Sequence, residues 1–146
     1  MLMFEIPFGT TDWAAVERTE HAGETGKAYW RTRTFNNIRV RMVEYTPGYL
    51  ADHWCQKGHI LLVLEGELHT ELADGKTVTL KAGQSYQVAD NTLGHRSSTA
   101  TGAKLFIVDR AKHERPDRIH RRRHHGRTHV PQSCEEERPE GTGGRP

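Results

Sequence analysis

The chain reads as an all-β protein, a small barrel or sandwich with the jelly roll among its options, and three observations predict it. Short runs of β-branched and aromatic residues recur between residues 28 and 109, turn residues part them at close intervals, and helical periodicity is almost absent. A length of 146 residues suits one domain with a core of its own, so neither a disulfide nor a metal is needed merely to fold.

Residues 1–30 carry Phe4, Ile6, Phe8, Trp13 and Tyr29 ahead of the regular pattern and read as an N-terminal arm. Within it DWAAVE (12–17), behind Thr11 as N-cap, predicts a turn or two of helix. AYWRTRTF (28–35) and IRVRMVEY (38–45) alternate apolar residues with arginine and are parted by Asn36-Asn37, which predicts a hairpin. In ILLVLEGELHTELADGKTVTL (60–80), Gly66 predicts a tight turn and Asp74-Gly75 a type I′ hairpin. AGQSYQV (82–88) opens on a glycine turn and becomes a strand. ADNTLG (89–94) is a loop, and HRSSTA (95–100) and AKLFIVD (103–109) complete a set of about eight to ten strands.

Charge and composition change after residue 110. Residues 1–110 hold 12 Lys or Arg against 13 Asp or Glu, whereas residues 111–146 hold 9 against 6. The last segment has no apolar side chains except Ala111, Ile119, Val130, Cys134 and prolines, too few to offset the entropy of ordering it. The reading is a folded domain over 1–110 and a disordered, basic, His/Arg-rich tail over 111–146. RIHRRRHHGRTH (118–129) invites a nucleic-acid patch or, with Cys134, a metal tract. No aromatic residue interleaves its basic residues for base stacking and six acids dilute its charge, so nucleic acid is not an expected partner. Two cysteines, Cys55 and Cys134, make no disulfide framework, and no apolar stretch has signal-peptide or membrane-span length. A soluble cytoplasmic protein is expected, with no membrane partner.

ADHWCQKGHI (51–60) places His53, Cys55 and His59 within seven positions. On a strand His53 and Cys55 would share a face, and a bend at Gly58 with positive φ could return His59 to the same side. A closed β-fold could add His95 as a fourth donor. Imidazole and thiolate suit Zn²⁺, Fe²⁺, Ni²⁺ or Cu²⁺ and not Mg²⁺ or Ca²⁺. By themselves these residues admit either a metal site or a chance neighbourhood in a chain of ten histidines.

PGYLADHWCQKGHILLVLEGEL resembles the first cupin motif, with Pro47-Gly48, His53, Cys55, His59 and Leu64-Glu65-Gly66 in its places. AGQSYQVADNTLGH resembles the second, with Gly83 opening it and His95 in the place of its histidine. The blocks IPFGTTDW (6–13), TEHAGETGKAYWRT (19–32), RMVEYTPGYLADHWCQKGHI (41–60) and KLFIVD (104–109) are similar to the small "DHCW motif cupin fold" proteins, over about residues 3–109. The resemblance implies a single jelly-roll β-barrel holding one divalent transition metal, with Zn first and Fe, Ni or Cu as alternatives. The implied ligands are His53, His59 and His95, with Cys55 either a fourth ligand or a small buried residue, and Asp52 either orienting one of them or an exposed loop acid.

Two departures bear on chemistry. Cys55 stands where cupins have a second histidine and His59 where they have glutamate, and Asn91-Thr92-Leu93-Gly94 lacks the usual proline. Dioxygenase or isomerase chemistry therefore does not carry over, and no catalytic residue is assigned. Two functions stay open: a cupin that binds or transforms a small molecule at a mononuclear metal, and a non-catalytic binding or sensing cupin with a closed Zn site. A homodimer is expected from the resemblance. Arg39, Arg41 and Arg96 are candidates to face the cavity and attract an anion, and the mixed pattern leaves open which of them points inward. Trp13, Trp30 and Trp54 read as core or interface aromatics, and His21 and His69 as surface residues.

Overall fold

A computed structural model describes residues 5–111. The tail reading, including Cys134 and the basic run, lies outside the described residues. Eight antiparallel strands follow one short 3₁₀ turn: β1 (Arg18–Ala22), β2 (Lys27–Phe35), β3 (Ile38–Tyr45), β4 (His59–Leu72), β5 (Thr77–Lys81), β6 (Ser85–Val88), β7 (His95–Ser98) and β8 (Ala103–Arg110). The path β1-β2-β3-β8-β4-β5 runs across the sheet, and β6 and β7 pair with β4 off that path.

β4 joins the two halves. Its first part pairs with β8 and β6, and its second part with β5 and β7. The junction is Gly66, which the sequence reading made a tight turn. It is instead a bend inside a continuous strand, beside a bulge at Val63/Glu65. Gly66 has φ of 79°, and a Cβ there would lie 2.2 Å from the Gly102 carbonyl oxygen. Only glycine fits so close a crossing of two backbones.

Three further expectations change. Asp12, not Thr11, caps the first turn, its Oδ1 accepting from the Ala14 amide at 3.1 Å, and the turn is a 3₁₀ segment of three residues, Trp13–Ala15. The Asp74-Gly75 hairpin is not type I′, because of those two only Gly75 has positive φ. The Gly75 amide donates to Leu72 O and the Leu72 amide to Lys76 O, closing a three-residue loop that ends on a left-handed residue. β1, missed within the arm, is an edge strand of mostly exposed residues held by register to β2, so periodicity could not signal it.

The core follows from alternation. On β3, Arg39, Arg41 and Val43 are buried on one face, and on β8 the matching face is Ala103, Leu105, Ile107 and Asp109. Register stacks these in rows: Val43, Leu105 and Val63, then Arg41, Ile107, Leu61 and Tyr86, then Arg39, Asp109, His59 and Val88. Trp30, Tyr49, Leu68 and Leu80 close the apolar part. The interior therefore runs from hydrocarbon at one end to charge and imidazole at the other.

Candidate metal centre

Three of the four predicted ligands meet. The ligand atoms of Cys55, His59 and His95 lie within 4.8 Å of one another. Segment 51–58 is not the regular strand expected. Cys55 makes an isolated bridge with His95, the Cys55 amide donating to His95 O at 2.7 Å and the His95 amide to Cys55 O at 3.0 Å. That pair of backbone bonds, rather than strand alternation, sets Cys55 beside His95. Gly58 has no positive φ; its role is close approach, since a Cβ would lie 2.5 Å from the Asp90 amide nitrogen. His59 enters as the first residue of β4, on its inward face. His53 lines the same cavity but stands outside the group of three.

Hydrogen bonds fix which imidazole nitrogens carry protons. The Leu93 carbonyl can only accept, so His95 Nδ1, 3.0 Å away, is its donor. This leaves the Nε2 lone pair of His95 buried with no hydrogen-bond partner among the described residues. A buried polar atom of this kind is costly unless something binds it. His53 Nδ1 lies 2.7 Å from Asp52 Oδ1, the carboxylate–imidazole pairing that orients metal-binding histidines, and the role expected of Asp52.

Burial, then the neighbouring His95 and the Arg41 charge, pushes His59 down to about 3; burial likewise lowers His95. Both rings are neutral at physiological pH, the form that ligates.

Sequence reading missed Tyr86, an ordinary strand aromatic by pattern. Its hydroxyl lies 2.9 Å from His59 Nε2, and burial, with Tyr45 nearby, holds it protonated. A metal held at His59 Nε2 would take the position on that nitrogen that this hydroxyl now occupies.

Cys55 is buried. Its reduced, deprotonated form is the one that ligates. The remaining aromatics divide: Trp30 is core, Trp54 is 43% exposed, and Trp13 packs edge-on against Phe106. His21 is half-buried, stacked on Trp30 at 3.7 Å between centroids. Of the arginines, Arg39 and Arg41 point inward, while Arg96 binds Ala51 O at the rim.

The donor set fits a borderline transition metal: neutral imidazoles, one sulfur, and no carboxylate in the group of three. No helix among the described residues is long and apolar enough to cross a membrane.

No family model and no curated protein sequence matches the chain. Solved structures do. An RmlC-like cupin from Shewanella frigidimarina superposes with a TM-score of 0.62 at 18% identity, covering 76% of this chain and 97% of that one. A sugar phosphate isomerase of the cupin superfamily from Silicibacter pomeroyi gives 0.60 at 16% identity, over 71% of this chain and 76% of that one. An Fe(II)-HppE with an alternative substrate gives 0.58 at 17% identity, over 70% of this chain and 60% of that one. The chain has the cupin fold.

Proposed function

We propose that this cupin binds one divalent transition metal at His59, His95 and reduced Cys55, with His53 as a further donor, and uses it to bind or transform a small molecule. The observation that carries the reading is the buried, unpartnered Nε2 of His95, aimed by the Leu93 bond into a cavity that also receives His59 and Cys55. A metal bound there supplies Lewis acidity or a redox centre. The chain's own groups do the rest. Asp52 holds the His53 ring, Trp30 and Leu61 help keep water out, and the Tyr86 hydroxyl hydrogen-bonds His59 at the cavity wall. Zn²⁺ is the first choice for this donor set, with Fe²⁺, Ni²⁺ or Cu²⁺ as alternatives.

The test is metal content of reduced, full-length protein loaded with Co²⁺. One ion per chain is expected, with sulfur-to-metal charge-transfer absorption that Cys55→Ser removes. His59→Ala with His95→Ala should abolish binding while the far-UV signal stays β. One ion per chain retained in that double variant would place the metal elsewhere and sink the reading. We further propose a homodimer through the outer face of the β3-β8-β4 sheet, where Ile60 is 52% and Leu64 38% exposed. A purely monomeric sedimentation profile at high concentration would overturn it.

A further inference from the structure

Arg41 is 3% exposed and lies in the interior, and among the described residues it shares its carboxylate partner with a second arginine. Arg39 takes Asp109 in a two-point pair, Nε to Oδ1 at 2.8 Å and Nη2 to Oδ2 at 2.7 Å. Arg41 reaches the same Oδ2 through one Nη2 contact at 3.0 Å. Two buried guanidinium groups thus share one buried carboxylate, leaving a net positive charge. The Nε–H of Arg41 has no acceptor among the described residues. Its guanidinium lies over the Trp30 ring, 4.5 Å from the centroid, which holds the plane in place without offering a lone pair.

Arg41 lines the same cavity as His59, His95 and Tyr86. That cavity is about 30 Å³, space for two or three water-sized groups. A divalent metal at the imidazole end would add to the positive charge. A buried cation with an unused donor costs free energy in the empty protein, and an anion that accepts from it would recover that cost.

We propose that Arg41 is the anion-recognition residue of this cavity and that the ligand is a small carboxylate. One carboxylate oxygen accepts from Arg41 Nε–H, and the group extends toward the imidazole end. Carboxylate suits both the size of the cavity and the planar donor edge of a guanidinium. The proposal deepens the metal reading by naming the ligand class, and it rests on that reading only for where the far end of the ligand goes.

Acetate and its neutral isostere acetamide are titrated calorimetrically into reduced, full-length protein, once loaded with Zn²⁺ and once stripped by chelator. Acetate should bind the loaded protein, and acetamide, which keeps an acceptor oxygen but carries no negative charge, about tenfold or more weaker. Arg41→Met should weaken acetate by a similar factor while keeping one metal per chain, and Arg41→Lys should restore part of the affinity. Equal binding of acetate and acetamide to the unaltered protein would overturn the proposal, and needs no variant to fold. So would undiminished acetate binding in Arg41→Met, or no acetate binding at all. Metal uptake without acetate binding sinks this inference alone. Arg41-dependent acetate binding in a protein that takes up no metal sinks the metal reading alone.

Discussion

Val63, Leu68 and Leu105 are fully buried against one another, whereas four residues further along β8, about 13 Å away, Asp109 sits between two arginines beside His59. Both regions are buried and both belong to the same strands. Hydrocarbon packing rewards any arrangement that fills the space, so the first region is tuned by volume. Charges in a dry interior tolerate only a matched set, so the second is tuned by count and geometry. The mismatch of two arginines to one aspartate, and a His95 Nε2 with no hydrogen-bond partner among the described residues, both stand in the second region.

The largest effect should come from unbalancing the charged region. Asp109→Ala leaves both guanidinium groups without their carboxylate and should cost about 3–5 kcal/mol, measured by denaturant unfolding of the metal-free protein. Leu105→Ala in the apolar region should cost about 2–5 kcal/mol by opening a cavity, with the metal content of the folded fraction unchanged. Near-equal stability of Asp109→Ala and the parent would erase the distinction between the regions. Next comes Gly66→Ala at the junction, where positive φ and the Gly102 carbonyl both oppose a Cβ. More than about 1 kcal/mol should be lost there, visible as a lower denaturant midpoint.

A further effect is set by pH. His59 and His95 have folded pKa values below their unfolded ones, so the unfolded chain binds more protons as pH falls. Their contribution is fully present above about pH 6.5 and is lost progressively below it, continuing toward 3 for His59. Asp109 acts in the same direction at lower pH: burial raises its pKa, but the Arg39 bonds and the Arg41 charge more than reverse this. The melting temperature of metal-free protein should therefore fall steadily from neutral to acid, and His59→Gln should flatten the upper part of the curve. A parent curve flat between pH 7 and 5 would show these rings to be protonated without cost.

Much of this was legible because period-two alternation survives wherever one strand face is buried. β2, β3 and β8 follow from it to within a residue, and with them the β2-β3 hairpin. Gly66 misled because a glycine with positive φ serves a turn and a strand-bending bulge equally, and only the long-range approach of Gly102 decides between them. β1 left no trace because its residues are mostly exposed. At the site, His59 and His95 were legible through motif spacing, and Cys55 too, although by backbone bridging rather than by a strand face. His53 reached the cavity wall but not the group of three. Tyr86 and the sharing of Asp109 were invisible, since both depend on which residues face each other across strands far apart in sequence. The arginine alternation on β3 hinted at an inward charge without saying which face was inside.

β4 belongs to both halves of the barrel, and its amides donate across β5, β6, β7 and β8 in turn. Opening either half therefore exposes part of the one strand on which the other half is also built. Along β4, hydrogen–deuterium exchange should show a single slow class of amides on both sides of Gly66, released together in one global event. The shared strand makes the fold one cooperative unit, and a bound ion at its His59 end would be felt in the exchange of amides near Leu72.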